Sequence, residues 1–175
     1  PTVGDLENNA EKIRNRIKEA EDQADMIVFP ELAVTGYPPQ DLLFGRHFVE
    51  RNKDLLMGIV EDGFDVTGVV GFVDSEGGRL YNSAAVFSEG RIDGIIRKTL
   101  LPTYDVFDED RYFEPNRKED IGPLSVEVGG ESLNLGVEIC EDLWDEDYDV
   151  KVTDLLAKRG ADLIVNVSAS PYRAG

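Results

Sequence analysis

Three side chains with complementary chemistry punctuate this 175-residue sequence: Glu31, Lys98 and Cys140. Cys140 is the only cysteine, and it closes the strand-length apolar run from Leu133 to Ile139, with Glu141 and Asp142 directly after it. A thiolate attacks a carbonyl carbon well once a base has taken its proton. Glu31 could be that base and could then hand the proton to a leaving amine. Lys98 could place positive charge where a tetrahedral intermediate develops an oxyanion. Together the three suit acyl transfer from an amide or nitrile through a thioester. Plainer readings stand beside this one. Free cysteine is among the most buried residue types and usually serves as a small hydrophobe. A glutamate after a strand and a proline is most often a solvated loop acid, and a lysine beside Arg97 is usually part of an exposed basic rim. The only histidine, His47, lies on a presumed helix beside Phe48 and is a poorer base, and no G-x-S-x-G nucleophile elbow is present.

The elements that must position these groups read as an α/β chain. Asp5 is a reasonable N-cap for a first helix, on which Leu6, Ala10, Ile13, Ile17, Ala20 and Ala24 recur at spacings of three and four. Met26 to Phe29 is a short apolar run suited to a strand covered on both faces, and it ends at Pro30-Glu31. After the turn-rich loop from Thr35 to Asp41, a second helix is expected over Leu42 to Val60, with Phe44, Phe48, Leu55, Leu56 and Ile59 on its inner face. Val66 to Val73, Leu80 to Phe87 and Ile92 to Arg97 read as a β-meander, with Asp74 to Gly78 as a strong turn signal and Lys98 closing the last strand. The stretch from Leu100 to Pro123 has no regular pattern, and a loop of that length is usually functional or disordered. Its aromatics, Tyr104, Phe107, Tyr112 and Phe113, favour a packed loop. Leu124 to Val128, the strand ending at Cys140, a helix after the charges that follow it over Val150 to Arg159, and a second buried strand over Ala161 to Val167 complete the order, with Gly160 as a C-cap. Glu31, Lys98 and Cys140 thus each stand at the C-terminal end of a predicted strand, where open α/β sheets bind ligands.

Length suits one domain over residues 1–175, able to bury roughly 70% of its unfolded surface. The charge is lopsided: 36 acidic against 18 basic residues, for a formal net charge of −18. That field repels nucleic acid and anionic membranes, so neither is expected as a partner. The acids are spread along the chain, as on the solvated surfaces of salt-adapted proteins. A single cysteine makes no internal disulfide, no Cys/His cluster suggests a metal, and no apolar run approaches ~20 residues, so a reducing cytoplasmic setting is expected.

The motifs F-P-E-L at Phe29 to Leu32, R-K-T-L-L-P at Arg97 to Pro102 and E-I-C-E-D-L-W at Glu138 to Trp144 resemble, in order and spacing, the Glu, Lys and Cys motifs of the nitrilase (carbon–nitrogen hydrolase) superfamily. More narrowly, T-G-Y-P-P-Q-D-L-L at Thr35 to Leu43, L-P-T-Y-D-V-F-D-E-D-R-Y-F at Leu101 to Phe113 and N-V-S-A-S-P-Y at Asn166 to Tyr172 are similar to the glutaminase domains of glutamine-dependent NAD+ synthetases.

The resemblance implies a nitrilase-like α/β/β/α sandwich, truncated at both ends relative to the family. It implies Glu31, Lys98 and Cys140 as a catalytic triad and Glu109 as the additional glutamate that holds the lysine. Tyr104, Glu141, Trp144 and Ser170 match positions that shape a glutamine pocket, and Arg173 is a nearby basic residue for the substrate carboxylate. The backbone N–H of Glu141 would assist Lys98 at the oxyanion. Glutamine would be hydrolysed through a γ-glutamyl thioester, with no cofactor in this domain. Ammonia would pass to a synthetase domain, in cis or in trans, that uses ATP and magnesium, and the family usually assembles as homo-oligomers. Two other readings remain: a free-standing hydrolase of another small amide, and a non-catalytic scaffold of the same fold. A thiol with a depressed pKa, quick to alkylate near neutral pH, is the expectation that separates an enzyme from a scaffold.

Overall fold

The computed structural model describes residues 1–105 and 107–170. Two sheets lie face to face between helical layers. The first has the order β1 (Met26–Val28), β2 (Thr67–Glu76), β3 (Arg79–Ser88), β4 (Arg91–Arg97). β1 runs parallel to β2, and the rest is the expected antiparallel meander, turned at Gly77-Gly78 with φ of 58° and 80° at the two glycines. Two successive positive-φ residues suit the tight hairpin turn. The second sheet holds β5 (Leu124–Val128), β6 (Glu131–Ile139) and β7 (Leu163–Val167), with β5–β6 antiparallel and β6–β7 parallel.

Side-chain alternation along each strand builds the layers. Val69, Ala84 and Val86 from the first sheet meet Val126, Leu135, Val137 and Ile139 from the second, which makes the inner core. The opposite face of the first sheet, with Val70, Phe72, Ala85 and Phe87, is covered by α1 (Leu6–Ala20) and α2 (Arg46–Glu61) through Ile13, Ile17, Leu56 and Ile59. Burying each such aliphatic side chain contributes about 1.5–3 kcal/mol. α3 (Val152–Lys158) covers the second sheet through Val152 and Leu156, beside Ile164 of β7. The order is α/β/β/α, as expected. No helix among the described residues is long and apolar enough to cross a membrane.

Several local expectations are corrected. α1 stops at Ala20, which leaves Ala24 exposed, and Asp5 precedes it without a side-chain cap bond, its carboxylate accepting from Asn8 instead. The second helix does not start at Leu42. Gln40–Phe44 is a 3-10 turn, extended Gly45 breaks the chain direction, and Phe44 stands 66% exposed instead of facing inward. After Cys140 come two short 3-10 turns, Cys140–Leu143 and Asp145–Asp147, and the α-helix begins only at Val152. Among the described residues β1 and β7 are the edge strands of their sheets, with Val28 39% and Leu163 44% exposed, yet each packs on both faces: Met26 and Val165 join the inner core, while Ile27 and Ile164 meet the helical layers. A continuous apolar run is the same string in a central or an edge strand, and only the sheet order distinguishes them.

Candidate active site

The path of the chain after β1 decides where Glu31 lies. β1 and β4 are the outer strands of the first sheet, three spacings apart, or about 14 Å at ~4.8 Å per spacing. The loop Pro30–Leu32 closes that gap by folding over β2. It does so at Gly71, where a Cβ would lie 2.5 Å from both Leu32 N and Pro30 O. Gly71 shares its face with Val69, so the loop enters between the two sheets. Leu32 has a φ of 49°, and the Val34 N–H donates to Gly71 O at 3.2 Å, which pins the far side of the turn.

Lys98 directly follows β4, and its N–H donates to Asn82 O at 2.8 Å. The side chain is buried, as is that of Glu31. Lys98 Nζ donates to Glu31 Oε1 at 2.7 Å and to Glu109 Oε1 and Oε2 at 2.9 Å each. Burial would lower the ammonium pKa, but the charges of Glu31 and Glu109 outweigh it and hold the group above its ordinary value. Glu109 arrives from the long loop, which is ordered as its aromatics suggest: Phe113 is buried, and Phe107 packs against Tyr37 and Tyr104. Burial pushes the Glu109 carboxyl up against the pull of Lys98.

The two carboxylates on Lys98 are not equivalent. Glu109 Oε1 also accepts from Tyr37 OH at 2.8 Å, and Oε2 from Asn82 Nδ2 at 3.3 Å, so both its oxygens are engaged twice. Glu31 receives Lys98 and Asn82 Nδ2, at 2.8 Å, on the same oxygen, Oε1. Its Oε2 is buried and has no hydrogen-bond partner among the described residues. Of the two, Glu31 has an oxygen free to take a proton.

Cys140 follows β6 on the other sheet and adopts φ 48°, a left-handed conformation that costs a side-chain-bearing residue about 1–2 kcal/mol. Asp142 holds the turn. Its buried carboxylate accepts the N–H of Ile139 at 3.0 Å, just before Cys140, and those of Thr99 and Leu100 at 3.0 and 2.8 Å, just after Lys98. One side chain therefore ties the thiol-bearing turn to the lysine-bearing one. Burial drives the Asp142 carboxyl up to about 7 despite those three amides. Asn166 Nδ2 reaches Cys140 O at 3.4 Å and Glu138 Oε1 at 3.3 Å. Ser168 Oγ lies 3.4 Å and Ser170 Oγ 3.8 Å from the sulfur.

The thiol corrects one expectation. Its pKa is raised, not depressed: burial is the largest cause and the Glu31 charge the next, against weaker help from Ser168, Lys98 and Ser170. The sulfur keeps its proton at neutral pH until a base takes it.

Beside this cluster, Tyr104 OH donates to Glu141 at 3.0 and 2.9 Å and Tyr148 OH donates to Glu141 at 2.9 Å. These residues line an open acidic depression with Trp144, Glu146 and Asp147. Tyr104 and Trp144 are 53% and 65% exposed at its rim, while Glu141 is buried. The structure thus brings Glu31, Lys98, Glu109 and Cys140 to one end of the sandwich, with Tyr104, Glu141, Trp144 and Ser170 around it. Arg173 lies outside the described residues. Sequence reasoning missed Tyr37, Asn82, Asp142 and Ser168. A polar Asn82 inside the run Leu80 to Phe87 was the available signal for one of them.

A buried thiol, a carboxylate with one free oxygen and a fixed ammonium can open an amide through a thioester. The chain belongs to the carbon–nitrogen hydrolase family, whose model matches residues 1–174. Among its relatives are the glutamine-dependent NAD(+) synthetases of Thermotoga maritima, 42% identical over 178 residues, and Aquifex aeolicus, 43% identical over 173 residues. The alignments take in 100% and 98% of this chain but 29% of each relative. The glutamine-dependent NAD+ synthetase of Acinetobacter baumannii, solved with ADP, superposes with a TM-score of 0.86 at 36% identity, over 100% of this chain and 32% of that one. An amidase from Nesterenkonia shares the fold at a TM-score of 0.74 and 24% identity, over 95% of this chain and 60% of that one.

Proposed function

We propose that this chain hydrolyses the side-chain amide of glutamine and delivers ammonia to the synthesis of NAD+. The observation that carries the reading is the Lys98 cluster, in which two buried carboxylates share one ammonium and only Glu31 retains a free oxygen. Glutamine as the substrate is supported by the sequence relatives, since those named above are glutamine-dependent NAD(+) synthetases.

Glu31 Oε2 takes the Cys140 proton as the sulfur attacks the amide carbon. The carbonyl oxygen becomes an oxyanion, stabilised by Lys98 and by the Glu141 backbone N–H. Collapse breaks the C–N bond, the Glu31 proton leaves with the nitrogen as ammonia, and a γ-glutamyl thioester remains. Glu31 then deprotonates a water that attacks the thioester, and glutamate leaves as the proton returns to sulfur. Glu109 engages Lys98 with both oxygens and holds it in place throughout.

The acidic depression at Glu141 suits the α-ammonium of glutamine, with Tyr104 and Tyr148 fixing the carboxylate that would meet it. Trp144 flanks the same opening, and Ser170 lies at the sulfur. Ammonia would serve a synthetase domain, in cis or in trans, where ATP and magnesium are used, and copies of the protein would assemble as a homo-oligomer.

The test is ammonia release from glutamine by the complete protein, with intact-mass detection of the acyl adduct and Cys140→Ala alongside. Glutamine-dependent ammonia together with an adduct absent from the variant is the expected result. Turnover of other amides but not glutamine would move the assignment to a different small amide. A folded protein that releases nothing and forms no adduct would overturn it in favour of a scaffold.

A further inference from the structure

Asn82 stands in β3 opposite Val73, buried, on the same face as Ala84 and hence toward the second sheet. Its amide nitrogen bridges the two carboxylates, donating to Glu31 Oε1 at 2.8 Å and to Glu109 Oε2 at 3.3 Å. The orientation is dictated by charge: a flipped amide would point its oxygen at both carboxylates. That orientation leaves Asn82 Oδ1 buried and without a partner among the described residues, an arrangement that packing alone would avoid by using an apolar side chain. The second orphan in the cluster is Glu31 Oε2. That second orphan follows from Lys98 and Asn82 converging on the other Glu31 oxygen.

We propose that Asn82 is a positioning residue that, together with Lys98, fastens the Glu31 carboxylate by Oε1 and so reserves Oε2 for the thiol proton. The inference rests on the reading of Glu31 as the base. Lys98 alone contacts Glu31 once and is already shared with both Glu109 oxygens. With a single anchor, rotation about the terminal carboxyl bond would let either oxygen meet Lys98, and the free oxygen would no longer have a fixed place. The neutral donor adds a second anchor on Oε1 without adding a second cation.

The test compares wild type with Asn82→Ala and the isosteric Asn82→Asp in the complete protein. The acid limb of the pH profile of kcat/KM reports protonation of the essential carboxylate in the free enzyme. Losing the donor in Asn82→Ala moves that limb to higher pH by about half a unit to one unit and lowers neutral kcat/KM about tenfold to a hundredfold, mostly in kcat. Asn82→Asp, which puts a third carboxylate beside Glu31 and Glu109, moves the limb further. A parallel readout needs no substrate: the carboxyl carbon of Glu31 in 13C-glutamate-labelled protein, assigned with Glu31→Gln, is titrated by NMR and its midpoint rises in the same order. If glutamine is not the substrate, the kinetic arm is silent in wild type as well while the NMR arm still reports on Asn82. An unmoved limb and an unmoved midpoint in folded variants, whatever their stability, would overturn the proposal. Should Asn82→Ala fail to fold, Asn82→Asp decides alone.

Discussion

Lys98 Nζ meets Glu31 Oε1 at 2.7 Å, and neither side chain reaches solvent. Removing the cation leaves Glu31 and Glu109 buried together without a counter-charge. Lys98→Met is expected to lose about 3–5 kcal/mol of stability near neutral pH. The sign of its pH dependence follows. Burial already pushes the Glu109 carboxyl up against the pull of Lys98, so without that cation it binds its proton more tightly folded than unfolded, and the variant regains stability as the pH falls. Urea unfolding at pH 8 and pH 5 reads this, and equal losses at both would contradict it. Activity drops about a hundredfold to a thousandfold through the lost oxyanion charge.

The raised Cys140 thiol makes a prediction opposite to the sequence expectation. Burial and the Glu31 charge favour the protonated sulfur, so iodoacetamide labels it slowly at pH 7, and the rate continues to climb beyond the ordinary value of 9.0. Glu31→Gln removes one of those two causes and is expected to speed labelling at a fixed pH while turnover is lost. Labelling that saturates below pH 8 in wild type would contradict the geometry. Slow labelling therefore does not distinguish a scaffold from an enzyme here.

Asp142 gives stability an unusual slope. Its carboxyl is driven up to about 7 from an ordinary 3.8, so between those values the folded protein holds a proton that the unfolded chain has released. Stability from this group accordingly falls as pH rises across that window, by up to about 1.4 kcal/mol per pH unit. Asp142→Asn removes the slope, and the difference between wild-type and variant unfolding free energies should change with pH below 7 and level off above it. A constant difference would refute the assignment.

Gly71 links fold to chemistry. An added Cβ would meet Leu32 N and Pro30 O at 2.5 Å, and both are backbone atoms that cannot swing aside. Gly71→Ala should cost about 1–3 kcal/mol in stability. Displacing the Glu31 loop should lower kcat about a hundredfold, with a smaller change in KM. A variant with reduced stability and normal kcat would show that the loop does not set the position of Glu31.

Much of this architecture is legible as a string. The meander around Gly77-Gly78 is fixed by alternation and turn chemistry, the inner faces of α1 and α2 by their spacing, and the places of Glu31, Lys98 and Cys140 by their following strand-like runs. These are local properties, set by residues within a few positions of one another. Helix limits were less legible because Gly45 and the 3-10 turns on either side of Trp144 interrupt patterns that periodicity continues.

How the polar groups are shared emerges only once the chain is folded. Lys98 and Glu31 are 67 positions apart, and Asn82 and Glu31 are 51 apart. No local pattern states that Asn82 and Lys98 choose the same Glu31 oxygen, that Tyr37 completes Glu109, or that Asp142 ties the turns after β4 and β6 together. Nor could neighbours in sequence reveal that the thiol is pushed up, since desolvation depends on everything packed around the sulfur. Local order along the chain is enough to say which chemical groups are present and at which strand ends. Burial and long-range hydrogen bonding determined which of two carboxylates keeps an open oxygen, because that depends on every donor the fold brings within reach.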